Sequence, residues 1–288
     1  MKILFVTILV LLITVLVLFL LWCALLLPRR KHPGWEKLVK VRYAHRGLHD
    51  MALEKPLRPE NSMAAFQAAV EKGFGAELDV HLMADGGLAV VHDSDLTRIC
   101  RKNTLIESLR TEDLKDYPLL ETKEHIPLLK DVLKLFEGKT PLIIELKVSG
   151  SNAAALTDAI MTALKDWNGM YCIESFHPAV LLHLKKRYPE VIRGQLSANF
   201  LHSNEAGSLI LPVRLILTFL LTTFLTRPDF IAFRWEDRSC PSLRLMRKLY
   251  DVHEVGWTVR NQEVMEHLEK NGVTPIFENF VPEHPTAR

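Results

Sequence analysis

With 288 residues the chain has room for one large domain or two small ones, and a formal net charge of +2 carries no basic excess that would mark a nucleic-acid partner. Its four cysteines, Cys23, Cys100, Cys172 and Cys240, lack metal-ligand spacing. Cys23 falls inside an apolar run, so an odd set remains elsewhere, and free thiols in a reducing compartment are the plain reading.

Ile3 to Leu27 carries no charge. As a helix it would be about 37 Å long, enough to cross a hydrocarbon core of about 30 Å. A cleaved signal peptide would have a shorter apolar core followed by small residues, whereas Trp22 stands before Cys23 and is also a poor neighbour for lipidation there. An uncleaved single-pass anchor over 1–27 is expected. Arg29, Arg30 and Lys31 follow it and only Lys2 and the N-terminus precede it, which by the positive-inside rule places the remainder in the cytoplasm. Residues 28–40 read as a basic, proline-containing juxtamembrane linker, and 41–288 as the globular domain.

From there short apolar runs alternate with segments of three-to-four spacing. Strands are predicted at 41–45, 75–80, 141–146, 170–174, 191–196, 229–233, 252–259 and 274–277. Helices are predicted over 63–72, opening at the capping Ser62 and ending at Gly73, then 127–137, 178–188 and 264–270. Repeated strand and helix point to an α/β fold, a closed parallel (β/α)8 barrel or, less well, an open doubly wound sheet. Asp85-Gly86-Gly87 reads as a hairpin turn that extends the second strand. Centred on Asp85-Gly86 it pairs residue 92 with 79, and centred on Gly86-Gly87 with 81. Leu209 to Leu225 is apolar almost all round but too short to span a membrane. It is either a helix buried under an insertion or at a dimer contact, or an interfacial helix dipping into a bilayer.

Two histidines and three acids stand where strands should end: Ala44-His45-Arg46-Gly47, Glu77-Leu78-Asp79-Val80, Val91-His92-Asp93 and Glu145-Leu146-Lys147. Glu77 and Asp79, two apart on a strand, project to one side, and without a cation each would raise the other's pKa. With Glu145 they could hold Mg²⁺ or Ca²⁺, between which the sequence does not choose. The plainer alternative is rim acids paired with Arg46 or Lys147. His45 and His92 sit at C-terminal strand ends, where such barrels work, and could exchange protons near neutral pH. Arg46 and Lys147 would offer positive charge to a phosphate, and Gly47 would let backbone approach a ligand.

Over roughly residues 41–282 the chain resembles the bacterial glycerophosphodiester phosphodiesterase family. The resemblance rests on the order and spacing of His45-Arg46-Gly47, Pro59-Glu60-Asn61-Ser62, Glu77-Leu78-Asp79-Val80, Val91-His92-Asp93, Ile126-Pro127-Leu128, Glu145-Leu146-Lys147, Ser175-Phe176 and Trp257-Thr258-Val259. It implies a phospholipase C-like (β/α)8 barrel that hydrolyses glycerophosphodiesters to an alcohol and glycerol 3-phosphate. Glu77, Asp79 and Glu145 would hold the divalent cation, with His45 and His92 as general base and general acid. Arg46 and Lys147 would contact the phosphate, Glu60 and Asn61 would shape the rim near His45, and Trp257 would flank the alcohol. In related barrels a substrate hydroxyl attacks phosphorus first and gives a cyclic phosphate. The chain departs from the family pattern at Pro275-Ile276-Phe277-Glu278-Asn279 and at Arg260, which leaves the rim beside the last strand open. Lysophospholipase D or phospholipase action on membrane lipids, and non-catalytic phosphodiester binding, are the rival functions.

Overall fold

The computed structural model describes residues 1–29, 32–202, 207 and 209–283. In chain order the elements are α1 (Lys2–Leu25), α2 (Trp35–Leu38), β1 (Tyr43–Ala44), α3 (Met63–Glu71), β2 (Gly75–Leu82), β3 (Leu88–Val90), α4 (Thr97–Cys100), α5 (Leu129–Phe136), β4 (Leu142–Leu146), α6 (Ala153–Leu164), β5 (Tyr171–Ser175), α7 (Pro178–Arg187), β6 (Arg193–Ser197), α8 (Leu211–Thr218), α9 (Thr223–Thr226), β7 (Phe230–Arg234), α10 (Pro241–Tyr250), β8 (His253–Val259), α11 (Gln262–Lys270) and β9 (Val273–Phe277). Strand β1 pairs in parallel with both β2 and β9, which closes eight parallel strands into a (β/α)8 barrel. The eight strands and four helices expected from the sequence are present, each within two residues of its expected bounds.

The apolar runs form strands because both faces are covered. Outward side chains such as Leu78, Val80, Ile144 and Ile173 pack with the helix residues Phe66, Val132, Ile160 and Leu181. Inward ones, Tyr43, Ile143, Cys172, Leu196, Phe230, Ala232, Val255 and Ile276, fill the barrel. Trp35 of α2 stacks on Phe230 and His253, with ring centroids 4.8 and 4.9 Å apart, and closes the barrel floor. The connector therefore ends in packed structure, and Tyr43 Oη ties it further by donating to the Leu38 carbonyl at 2.8 Å. Helix α3 starts where the Ser62 hydroxyl accepts from Ala65 N at 3.1 Å.

The hairpin takes neither expected register. Val80 faces Val90 and Leu82 faces Leu88, so Asp79 lies opposite Val91, whose N donates to the Asp79 carbonyl at 3.1 Å, and His92 is one step further. The turn closes earlier than expected, with Met83 N donating to Gly87 O at 2.9 Å and Gly86 at φ +87°. Only glycine takes that angle without strain.

Helix α1 is long and apolar enough to cross a membrane. Only its last turns touch the barrel. Trp22 Nε1 donates to Ser242 Oγ at 3.3 Å, Tyr250 Oη to the Cys23 carbonyl at 2.8 Å and Thr223 Oγ1 to the Leu25 carbonyl at 2.9 Å. Leu26 is fully buried among Ile231, Phe233, Leu243 and Met246. Of the three basic residues used to orient the anchor, Arg30 and Lys31 lie outside the described residues. The apolar stretch 209–225 is broken into α8 and α9 rather than forming one helix, because Leu220 takes φ +56° to bury its side chain.

Candidate active site

Glu77 and Asp79 project from β2 into the barrel mouth. Asp79 stands in register with Glu145 of β4, and Glu145 with Glu174 of β5, so neighbouring strands carry one row of acids. The ligand oxygens of Glu77, Asp79 and Glu145 lie within 4.8 Å of one another, all buried. Lys147 Nζ is 2.9 Å from Asp79 Oδ1 and 2.8 Å from Glu145 Oε1. Asn61 Nδ2 donates to Asp79 Oδ2 at 2.8 Å, and Arg46 N to Glu77 Oε2 at 3.1 Å. Asn61 is thus a buried support of the acid cluster rather than part of the rim.

Electrostatics set these acids apart from ordinary rim acids. Burial, then Asp79 and Glu145, push Glu77 well above the usual carboxylate range, and burial pushes Glu145 up to about 7. Glu174 is also pushed well up, first by burial, and its Oε2 is buried without a partner. Against the upward push of burial, Lys147, His92 and Arg46 hold Asp79 low. Four buried acids face the two cations Lys147 and Arg46, an excess of negative charge that a hard divalent ion with oxygen ligands fits.

Each histidine is bonded to a carboxylate through Nδ1, which leaves Nε2 for the cavity. His45, just beyond β1, has Nδ1 2.6 Å from Glu278 Oε2 and Nε2 3.9 Å from Glu77 Oε2. Burial, and then the Arg46 guanidinium, push the His45 imidazole down to about 4 against the pull of Glu278, so it is neutral at pH 7. His92 Nδ1 is 2.7 Å from Asp93 Oδ1, and an ion-pair chain runs on from Asp93 to Arg98 at 2.6 Å, Arg98 to Glu60 at 2.5 Å and Glu60 to Arg46 at 2.9 Å. Glu60 therefore holds two arginines, one from each side.

These groups open on a cavity of about 560 Å³ lined by His45, Arg46, Glu77, His92, Glu145 and Lys147, with Trp257 on its wall. Trp257 packs edge to face against Phe176, centroids 5.8 Å apart. Gly47 has a different role from the one expected. A Cβ there would come within 2.9 Å of Ala65 in α3, so the glycine permits helix packing rather than ligand approach. Three residues escaped the sequence reading. Glu278, in the stretch that departs from the family pattern, orients His45. Glu174 completes the acid row, and Asp93 orients His92. Glu174 ends a predicted strand and Glu278 follows β9, the position where barrel sites are built, while Asp93 is the sequence neighbour of His92; those were the available signals.

The model of the glycerophosphoryl diester phosphodiesterase family matches residues 45–283. A glycerophosphodiester phosphodiesterase of Bacillus altitudinis is 30% identical over 183 residues, 60% of this chain and 72% of that protein. A protein of the same name from Caldanaerobacter subterraneus is 29% identical over 76% of this chain and 87% of its own length. A phosphodiesterase of Oleispira antarctica, solved in complex with the product sn-glycerol-3-phosphate, superimposes with a TM-score of 0.68 at 20% identity, covering 85% of this chain and 94% of that one.

Proposed function

Because the chain belongs to the glycerophosphoryl diester phosphodiesterase family, a group of phosphoric diester hydrolases, we propose that it hydrolyses glycerophosphodiesters to an alcohol and glycerol 3-phosphate in a reaction that needs a divalent cation. The observation that carries this reading is the set of three buried acids within 4.8 Å, flanked in one cavity by two carboxylate-bonded histidines. Glu77, Asp79 and Glu145 hold the cation, Mg²⁺ or Ca²⁺. When bound, the ion supplies positive charge to the phosphate oxygens.

The remaining chemistry belongs to side chains. Lys147 and Arg46 offset charge that gathers on phosphorus-bound oxygen as the bond to the alcohol breaks. His45, neutral and with Nε2 free, takes the proton of the attacking hydroxyl. His92, paired with Asp93, gives a proton to the leaving alcohol. Each such transfer contributes about 10²–10⁴-fold. Trp257 covers the alcohol portion, while Glu60 and Asn61 hold Arg46 and Asp79 in place.

Residues 1–27 anchor the protein as a single membrane span, 28–40 link it, and 41–288 form the catalytic domain on the cytoplasmic side. The test is divalent-dependent release of glycerol 3-phosphate from glycerophosphocholine by the full chain, with His45→Ala and Glu145→Ala alongside. Release abolished in both variants and by chelator is the expected result. Release that survives either variant overturns the reading.

A further inference from the structure

Away from the catalytic mouth, a cavity of about 690 Å³ opens where the end of α1 meets the barrel wall. Four cations line it: Arg29 just past α1, Lys185 in the last turn of α7, Arg193 at the start of β6 and Arg227 directly after α9. Among the described residues no acid lines it. Asp229 lies behind the wall, 3% exposed, with Oδ1 3.5 Å from Arg29 Nε and Oδ2 accepting from Arg193 N at 3.0 Å. One carboxylate therefore faces four cations.

Three of these cations are steered by the last carbonyls of α9. Lys185 Nζ donates to Leu225 O at 2.7 Å, Arg193 Nε to Thr226 O at 3.1 Å and Arg227 Nε to Phe224 O at 3.2 Å. Capping a helix end is an ordinary role for a basic side chain, yet it occupies one donor of each and leaves the rest. Arg193 is only 3% exposed, and its Nη1 is buried without a partner, as is Nη1 of Arg29. A buried guanidinium N–H without an acceptor is costly, so two of them at one cavity call for an anion. Burial, and then Arg227 and Arg193, pull the Lys185 ammonium below the usual lysine range, which an anion between the three would relieve.

The surroundings say where that anion comes from. Every residue from Met1 to Leu21 is exposed, and contact with the barrel begins at Trp22. A helix of 24 residues is about 36 Å long, which exceeds a hydrocarbon core of about 30 Å. Under the anchoring proposed above, the docked end of α1 and the cavity beside it fall in the head-group layer. Phe224, Leu225 and Leu249, exposed at 37%, 46% and 48%, stand around the cations. Exposed apolar side chains beside a basic cavity suit a ligand with a charged head and a greasy body.

We infer that this cavity binds the phosphate head group of an anionic phospholipid of the bilayer, its oxygens accepting from Arg29, Lys185, Arg193 and Arg227. The acyl chains then pass over Phe224, Leu225 and Leu249. A zwitterionic lipid brings the same phosphate, but its ammonium would meet the cations with no carboxylate on the wall to pair with. The lipid is not consumed here. It clamps the barrel to the membrane at a second point beside the anchor.

The test reconstitutes the full chain into vesicles of equimolar phosphatidylcholine and phosphatidylglycerol, extracts it into a non-ionic detergent and identifies the lipid that stays bound by native mass spectrometry. Wild type retains phosphatidylglycerol over phosphatidylcholine by about tenfold or more. Lys185→Gln and Arg227→Gly each cut that preference about fivefold. Glycine accepts the left-handed φ of +48° at position 227 without strain, so that variant keeps its fold, and thermal melts check both. Lys186→Gln, which removes the same charge outside the cavity, stays within about twofold of wild type. Equal retention of the two lipids by wild type overturns the proposal, and so does a loss in Lys186→Gln as large as in Lys185→Gln, which would reduce the effect to general surface charge. Delipidated protein in detergent is also melted with inorganic phosphate and with short-chain phosphatidylglycerol. Stabilisation by the lipid alone is the expected result, while equal stabilisation by phosphate assigns the cavity to a soluble anion and overturns the lipid. A chain that stays outside the vesicles removes the anchor and this site together. A chain that inserts without lipid preference removes the site and leaves the anchor and the hydrolase reading intact.

Discussion

Glu278→Gln separates an oriented base from a merely adjacent histidine. The Glu278 carboxylate accepts from His45 Nδ1 at 2.6 Å, lies 3.7 Å from His49 Nε2 and is held by Arg260 at 2.7 Å. It fixes the tautomer that turns the Nε2 lone pair toward the cavity, and it stabilises the imidazolium that forms when His45 takes a proton. A hydrogen bond to a charged group is worth about 1.5–3 kcal/mol, and about 1.4 kcal/mol of barrier is tenfold in rate, so the amide should lower kcat by about 10- to 150-fold. Because the change acts through His45, Glu278→Gln should cost almost nothing further in a His45→Ala background. The assay is the steady-state kinetics of the wild type, both single variants and the double variant on glycerophosphocholine, with thermal melts to confirm folding. A single variant within about twofold of wild type refutes the reasoning, and so does a full extra loss in the double variant.

Three other outcomes follow from the structure. Glu77→Gln removes one of three clustered ligands, and titration calorimetry with Mg²⁺ or Ca²⁺ should show affinity lowered at least about tenfold; unchanged affinity places the ion elsewhere. Glu145 is held at about 7 in the folded protein against 4.5 for a free glutamate, so between these values the folded state binds more protons and stability falls as pH rises. Chelated wild type should therefore lose about 2–4 °C more between about pH 6 and about pH 8 than chelated Glu145→Gln, from about 1 kcal/mol through Glu145 alone, because His45, held low, shifts both proteins the other way; saturating divalent ion should erase the difference. Equal pH dependence of the two chelated proteins would contradict this. Leu26→Ala should cost about 2–5 kcal/mol in chemical denaturation, since Leu26, just past α1, is fully buried against the barrel; a cost under about 1 kcal/mol would mean that the end of α1 does not dock.

The barrel was legible because its strands are buried on both faces, so several read as short apolar runs, such as Leu142-Ile143-Ile144 in β4, although β6, Arg193–Ser197, carries only Leu196 as a large apolar side chain. The acids and histidines were legible because such barrels place chemistry where those runs stop. What escaped depends on pairing across strands. Glu174 becomes an active-site acid only once β4 and β5 are aligned so that Glu145 and Glu174 share a row. Glu278 meets His45 across more than two hundred residues of chain, through closure of β9 on β1. The hairpin register failed on a local detail, a glycine at φ +87° that ends the turn earlier than the Asp-Gly or Gly-Gly pair suggested. The break in the segment over 209–225 was not legible because its buried positions, Thr218, Leu220 and Thr223, mix threonines satisfied by backbone groups with one leucine, which a count of apolar residues does not see.

The docked end of α1 bears on how the molecule would search for its substrate under the proposed membrane anchoring. Hydrogen bonds from Trp22, Tyr250 and Thr223 and the burial of Leu26 leave no slack between helix and barrel. Under the proposed membrane anchoring the barrel would not tumble as it would on a loose tether; it would diffuse in the plane of the membrane with one rim held at a fixed height. Encounter with a substrate at that surface would then be a two-dimensional problem, governed by molecules per unit area rather than per unit volume. Diluting the substrate with inert lipid should slow such an enzyme even when the total amounts of both are unchanged.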